Sequence, residues 1–126
     1  MSYYANIEEK TKSNSNFRQV LYTGKYSQLV VMSLKPQEEI GLEVHTQVDQ
    51  FFRFEQGEGK VIIDDQEFIV HEDDAVIVPA GSKHNVINAS NTESLKLYTI
   101  YSPPNHPHGT IHKTKAEADL YEKSHH

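Results

Sequence analysis

The sequence predicts an all-β fold, a sandwich or barrel of short strands that is followed by one short C-terminal helix. Between residues 28 and 101, apolar or alternating runs of four to seven residues follow one another at short spacing. Gly, Pro and Asp residues separate these runs, as tight turns require. At 126 residues the chain is long enough for one domain with a substantial core, and we expect a single domain over residues 1–126.

The region before the barrel is expected to form an N-terminal arm over residues 1–24. Asn6 is placed to cap a short helical turn, and the polar stretch over residues 11–16 predicts a loop. A strand-like run over residues 17–22 follows and ends before Gly24.

The barrel is expected over residues 28–101, and a different kind of chain follows it. The predicted strands cover residues 28–34, 50–55, 60–63, 66–70, 75–78, 84–88 and 95–101. The last part, residues 102–126, begins with a Pro-rich segment in which regular structure cannot continue. Thr114 and Glu117 match a capping box, which predicts a helix over residues 115–123 on the outside of the barrel.

Composition excludes several classes of function. The chain has no cysteine, so any metal would be held by nitrogen and oxygen donors. The formal net charge is −6 without a Lys/Arg cluster, which argues against nucleic acid as a partner. No apolar run has a membrane span's length of about 20 residues, and the first residues lack a signal-peptide pattern. We therefore expect a cytoplasmic protein; His125 and His126 resemble a tag remnant and are given no role.

Polar side chains at strand positions form a candidate metal site. Residues two apart on a strand share a face, so Glu43 and His45 point the same way, as do Gln50 and Phe52. If the strands line one interior, then Glu43, His45, Gln50 and His84 converge near one mouth of the barrel. Two imidazoles and a carboxylate with open positions suit Fe(II), Mn(II) or Zn(II).

Two alternatives at this site remain open from the residues alone. An isolated His in a strand is more often a packed or exposed residue than a ligand, and only the joint spacing favours a site. Gln50 can be a ligand or can lie behind the ligands, because a neutral amide is a weak donor. Asp49 is the rival to Gln50, although it would lie on the opposite face from Phe52.

The second half of the candidate site resembles a motif of the cupin superfamily. That motif is Gly, five residues, Pro-x-Gly, two residues, His, three residues and Asn. Here Pro79, Gly81, His84 and Asn88 match at every spacing, and Asp73 replaces the leading Gly. The resemblance implies a double-stranded β-helix, the cupin jelly-roll barrel, with His84 as a metal ligand.

The first cupin motif is present with two changed donors. The family pattern is Gly, five residues, His-x-His, three or four residues, Glu, six residues and Gly, and the leading Gly is less regular here because Gly41 lies too close to His45. Glu43 stands at the first His position, His45 at the second, Gln50 at the Glu position and Gly57 at the final Gly. The set keeps a single negative charge but exchanges an imidazole nitrogen for an amide oxygen. This harder donor set favours Fe(II) or Mn(II), and Zn(II) and Ni(II) are compatible with it.

The resemblance also implies a class of function. The ending of the chain, at residues 98–104 and 112–118, is similar to that of small single-domain cupins labelled mannose-6-phosphate isomerase-like. Such a barrel would be a metal-dependent dioxygenase, or an isomerase or lyase, that acts on a small molecule. The alternative is a non-enzymatic barrel that binds a sugar or metabolite, with a structural metal or none, and Gln50 favours this alternative.

Further residues complete the predicted site. Tyr98 and Tyr101 lie on opposite faces of the last strand, so one of them can hold or protonate a ligand in the pocket. We assign this catalytic role to Tyr98, and a second one to Glu43. The tail histidines can lie over the barrel mouth, but a solvated loop is the simpler interpretation; they are His106, His108 and His112.

The last predicted strand also bears on assembly. Residues 95–101 are apolar on both faces, which a strand with one solvated face does not need. We therefore expect a homodimer.

Overall fold

The computed structural model describes residues 2–124, which fold into two antiparallel sheets and two helices. The helices are α1 (Ile7–Ser13) and α2 (Lys115–Ser124). The strands are β1 (Arg18–Thr23), β2 (Gln28–Leu34), β3 (Glu43–Val44), β4 (Asp49–Gln56), β5 (Gly59–Ile63), β6 (Gln66–Val70), β7 (Ala75–Val78), β8 (Lys83–Asn88), β9 (Leu95–Ser102) and β10 (Ile111–His112).

The sheets form the two walls of a barrel. One sheet has the order β10-β1-β2-β9-β4-β7, and the other has the order β3-β8-β5-β6. Each of the seven strands predicted between residues 28 and 101 is present with ends that shift by at most one residue. The predicted all-β double-stranded β-helix with a short C-terminal helix is confirmed.

The core lies between the inner faces of the sheets. On β4, Phe52 and Phe54 are fully buried and stack with ring centroids 6.4 Å apart. Leu95 and Leu97 of β9 are equally buried beside them. Burying each such side chain stabilises the fold by about 1.5–3 kcal/mol. The alternation of buried and half-buried residues along β4 and β9 is the period of two that the sequence shows.

The backbone conformation at two turns explains which residues stand at two motif positions, Asp73 and Gly57. Asp73, which replaces the motif's Gly, has φ +73°, a conformation that Asp adopts more readily than most side chains. Its carboxylate accepts a hydrogen bond from Arg53 at 2.9 Å. Gly57 has φ +95°, and a Cβ there would lie 2.6 Å from the carbonyl oxygen of Ser94. A side chain at position 57 is therefore excluded by the approach of this backbone.

The N-terminal segment contributes one strand to the larger sheet, β1, close to the strand-like run predicted over residues 17–22. Asn6 does cap α1, accepting a hydrogen bond from the Glu9 amide at 3.1 Å, but the helix extends through Ser13, where a loop was expected. β1 then pairs with β2 on one side and with β10 on the other. Arg18 and Val20 of β1 consequently point into the barrel.

Both helices are short. The Thr114 half of the predicted capping box is present, since Thr114 accepts a hydrogen bond from the Glu117 amide; the Glu117 carboxylate accepts one from the Lys113 amide instead of the Thr114 amide. Neither helix is long and apolar enough to cross a membrane within the described part of the chain. His125 and His126 lie outside the described residues.

Candidate metal centre

The pairing of β3 with β8 brings the candidate ligands together. Glu43 lies directly opposite His84 in this register, and both side chains point inward. His45 follows β3, and its carbonyl oxygen accepts a hydrogen bond from the Gly81 amide at 2.8 Å. Glu43 Oε1 is 3.7 Å from His45 Nε2 and 4.0 Å from His84 Nε2. Three potential donors thus lie within 4.8 Å of one another.

The donor atoms that face each other lack other partners. Six buried side-chain atoms make no hydrogen bond within residues 2–124, and three of them are His45 Nε2, His84 Nε2 and Gln50 Oε1. Leaving a buried polar atom unpaired costs about 1–3 kcal/mol. His84 Nδ1 lies 3.3 Å from the Ser82 carbonyl, which can only accept, so Nδ1 carries the proton and the Nε2 lone pair faces Glu43.

Electrostatics favour the protonation states that bind metal. Burial alone would raise the pKa of Glu43, but the nearby His45 ring, together with the charges of Arg18 and His84, brings it below its usual value. Burial lowers the pKa of His84 despite its bond to Ser82. At neutral pH Glu43 is therefore an anion and His84 a neutral imidazole, the forms that ligate a cation.

These residues fit a divalent metal ion. Donors that share one ion with bonds of about 2.0–2.2 Å lie about 3–4 Å apart. The separations among Glu43, His45 and His84 therefore need only small side-chain movements, and the unpaired imidazole nitrogens are the atoms that such an ion would engage.

The side-chain amide of Gln50 has a hydrogen-bonded nitrogen and an unpaired oxygen. It is buried on β4, and Nε2 donates a hydrogen bond to Thr99 Oγ1 at 3.0 Å. Oε1 is the unpaired atom, so it is the one available to a ligand or ion. The rival residue, Asp49, is exposed and accepts a hydrogen bond from the Ala80 amide at 2.9 Å. Asp49 thus stabilises a turn outside the cluster.

The structure corrects the choice of tyrosine. Tyr98 is on the outer face of β9, where its ring lies 6.1 Å from that of Phe51. Tyr101 is on the inner face, 1% exposed, and its ring meets the His45 ring edge-on at 5.9 Å. Because both faces of this strand are apolar, the alternation did not identify the inner one. The predicted position of Tyr98 in the pocket is therefore wrong, and Tyr101 is the tyrosine that contacts a candidate ligand, His45.

A cavity of about 620 Å³ opens beside the cluster. Glu43 and His45 line it from β3, His106 from the tail, and Lys115 and Tyr121 from α2. The tail is consequently one wall of the candidate site rather than a distant loop.

The side chain of Gln28 fixes this wall. Gln28 is buried on β2, and its Oε1 accepts hydrogen bonds from the amides of Asn105 and His106, at 3.1 and 2.9 Å. Its Nε2 donates to the His106 carbonyl at 2.7 Å. The expected solvated loop holds for His108, which is exposed, but is wrong for His106, which is half-buried, and for His112, which is buried on β10.

Sequence reasoning missed Arg18. This residue is 3% exposed, and no carboxylate within residues 2–124 lies within ion-pair distance of it. One guanidinium nitrogen is 3.5 Å from His112 Nδ1, and the group lies over the Phe17 ring at 5.3 Å. The signal was a charged residue at an inward position of a strand-like run.

Comparison with known proteins decides the family. The family model for the cupin domain matches residues 30–101, which is more than half of the chain. This chain is a cupin. The matched region contains β2 to β9 and the candidate ligands, including Glu43 and Gln50, where the cupin pattern has His and Glu.

Relatives of this cupin extend the likeness over nearly the whole chain. It is 53% identical over 122 residues to the uncharacterized protein YrkC of Bacillus subtilis, covering 92% of this chain and 65% of YrkC. It is 44% identical over 112 residues to the uncharacterized protein L612 of Acanthamoeba polyphaga mimivirus, covering 86% of this chain and 70% of L612. The cupin thus spans less than two thirds of YrkC. The crystal structure of BH2720 from Bacillus halodurans is 45% identical, with a TM-score of 0.92 and 95% of each chain covered.

Proposed function

We propose that this cupin binds one divalent metal ion through Glu43, His45 and His84, and that a small organic molecule binds beside the ion in the cavity. The observation that carries the proposal is the convergence of three donor atoms within 4.8 Å, two of which are buried imidazole nitrogens without any other partner. Cupins commonly bind divalent metals, and two nitrogens with one carboxylate leave positions open for a ligand.

The donor set favours Fe(II) or Mn(II), with Zn(II) and Ni(II) as compatible ions. Gln50 is proposed as a fourth, weaker ligand through Oε1. A bound ion of this kind supplies a Lewis acid that polarises a substrate oxygen or, as Fe(II), a centre for O2 activation. The proposed chemistry is therefore dioxygenase, isomerase or lyase chemistry on a small molecule.

The protein's own groups prepare the cavity for such chemistry. Glu43 is an anion at neutral pH, because its pKa lies below its usual value. Burial raises the pKa of the Tyr101 hydroxyl well above its usual value, so this group stays protonated and can donate a hydrogen bond to His106 Nε2, which lies 3.2 Å away at the cavity wall. We propose that Glu43 and Tyr101, in place of Glu43 and Tyr98, are the residues closest to the chemistry.

A second candidate function is non-enzymatic binding of a sugar or metabolite. It is favoured by Gln50, a neutral amide at the position where the cupin pattern has a carboxylate. In this case the ion is structural, and the cavity holds a ligand without converting it.

The number of domains, the location and the excluded partners are proposals as well. We propose one domain, from the length of 126 residues, and no nucleic acid partner, from the acidic composition. A cytoplasmic location without a membrane partner is proposed with them. The similarity to cupins labelled mannose-6-phosphate isomerase-like identifies no substrate for this protein.

Metal analysis tests the proposal. Chelator-treated protein that is reloaded anaerobically with Fe(II), Mn(II), Ni(II) or Zn(II) should retain about one ion per chain. His84→Ala should abolish retention, because it removes a buried ligand. His71→Ala is the matched control, since His71 is exposed and pairs with Glu58. Failure of all four metals to bind would exclude the proposed site.

A second assay separates the two candidate functions. The loaded protein is tested for O2 consumption and for product formation with diketones, catechols and sugar phosphates. Turnover that disappears in His84→Ala supports an enzyme. Saturable binding of a panel member without turnover supports the binding protein.

A further inference from the structure

We propose that His106 is a ligand-contacting residue that donates a hydrogen bond from Nδ1 to an oxygen of a small organic anion bound beside Glu43, His45 and His84. This inference rests on the proposed function, and it adds a substrate class to it. His106 belongs to neither cupin motif and comes from the tail.

The ring of His106 is held at the cavity wall from two directions. Its backbone amide and carbonyl are bonded by the buried side chain of Gln28, as described above. Its Nε2 lies 3.2 Å from Tyr101 Oη, and the two rings meet edge-on at 5.0 Å. No hydrogen bond among residues 2–124 uses Nδ1, and His106 lines the cavity. Nδ1 is thus the ring nitrogen left for a ligand.

The neighbours of Tyr101 decide which nitrogen of His106 carries the proton. Tyr101 is 1% exposed, and burial raises the pKa of its hydroxyl well above the usual value, so the hydroxyl keeps its proton. A buried hydroxyl proton needs an acceptor among the described residues. That acceptor is His106 Nε2, so the His106 proton lies on Nδ1. Tyr101 is therefore a positioning residue that acts through His106.

The charges in the interior favour an anionic ligand. The buried Arg18 cation balances the Glu43 anion, and both contribute to the electrostatics of His106. Burial and then the charge of Arg18 lower the pKa of His106 to about 3, so the ring is a neutral donor at pH 7. A divalent ion at the proposed site would add two positive charges next to Glu43. The other carboxylates that line the cavity, Asp119 and Glu122, belong to α2, and Asp119 is already paired with Lys115. An organic anion compensates this charge, whereas a neutral ligand does not.

The first arm of the test measures the tautomer in metal-free protein. Side-chain ¹⁵N spectra of His106 should show a protonated Nδ1 and an acceptor Nε2. Tyr101→Phe removes the hydrogen bond to Nε2, so the spectrum should change to a mixture of both tautomers. A His106 ring that is protonated on Nε2 in the unmodified protein would overturn the inference.

The second arm measures ligand binding to Zn(II)-loaded protein by calorimetry, with pyruvate as the anionic probe and pyruvamide as its neutral counterpart. Pyruvate should bind more tightly than pyruvamide. His106→Leu should weaken pyruvate binding about tenfold, the usual effect of losing a hydrogen bond to a charged group. His106→Asn should restore most of it, since its amide nitrogen can donate from a similar position. His108→Leu, an exposed change on the same tail, should have no effect.

The outcomes distinguish this inference from the proposed function. If Zn(II) binds but pyruvate fails to bind, or binds equally to His106→Leu, the role of His106 is refuted and the metal site stands. If no metal binds, the proposed function fails, and this inference fails with it. An unchanged Zn(II) affinity in all His106 variants confirms that His106 acts on the ligand and not on the ion.

Discussion

Gln50 is one of the two residues at which this site departs from the cupin pattern in charge, and it replaces a carboxylate with a neutral amide. Its amide oxygen is buried and unpaired, and its nitrogen is bound to Thr99. A side chain that was only structural would be expected to satisfy both ends of the amide. The unpaired oxygen therefore favours a role toward a bound ion or ligand.

Gln50→Glu tests that role. A carboxylate at this position adds a negative charge and a stronger ligand, so Mn(II) affinity measured by calorimetry should rise at least about tenfold, which is about 1.4 kcal/mol. The metal-free variant should be less stable than the unmodified protein, because the added charge is buried beside Glu43. The control is Gln56→Glu, the same change at the exposed end of β4. An unchanged Mn(II) affinity in Gln50→Glu would contradict a ligand role.

The sequence predicts individual site residues to different extents. His84 and Asn88 follow from spacing alone, and Asn88 proves to be structural, with Nδ2 close to the carbonyls of Leu34, Lys35 and Glu93. Tyr101 is not distinguishable from Tyr98, because hydrophobicity on both faces of β9 hides which one is inside.

Among the elements, the tail between β9 and β10 changes most between expectation and structure. Its composition predicts a solvated loop, but Gln28, which lies 78 positions before His106 in the chain, binds its backbone. A hydrogen bond over that separation leaves no local pattern. The two-residue strands β3 and β10 were not predicted for the same reason, because they are defined by their pairing with the distant strands β8 and β1.

Gln28→Met tests the anchoring of the tail. The change keeps the size of the side chain but leaves buried amides and a carbonyl unpaired, at a cost of about 2–4 kcal/mol. Amides of residues 105 and 106 should exchange with solvent faster, while the fold is retained. Gln37→Met is the matched control, because Gln37 also bonds backbone carbonyls but is exposed. Equal exchange of the tail amides in both variants would contradict the anchoring role.

At the scale of the whole molecule, burial of ionisable groups makes stability depend on pH. The pKa values of His84, His106 and His112 are all lowered in the folded state, in each case mainly by burial, and that of His106 falls to about 3. The groups that act on His106 come from several elements; they are Arg18, Glu43, His45, Tyr101 and His112.

The direction of the pH dependence follows from these shifts. Below the unfolded His pKa of about 6.5 the unfolded chain binds protons that the folded chain does not, so stability falls with acidification. The free energy of unfolding of metal-free protein should therefore decrease from pH 7 to pH 4 in urea titrations. His106→Leu should decrease less steeply, and His108→Leu should follow the unmodified protein. A stability that is flat or rises on acidification would be inconsistent with buried neutral histidines.

Assembly also belongs to this scale. The outer face of the larger sheet carries Phe51, Tyr98 and Ile100, which are half-buried in the isolated chain, and α1 packs against the same strands. We expect this face to form a homodimer, with Tyr98→Lys shifting the protein toward monomers. Sedimentation at micromolar concentration measures this, and a monomer for the unmodified protein would refute the dimer.

The central claim is a metal ion held by Glu43, His45 and His84, and anomalous scattering from crystals of Mn(II)- or Fe(II)-loaded protein tests it most directly. We predict one strong anomalous peak among Glu43 Oε1, His45 Nε2 and His84 Nε2, with Gln50 Oε1 beside it. An absent peak, or a peak only at an exposed group such as His71 with Glu58, would contradict the account.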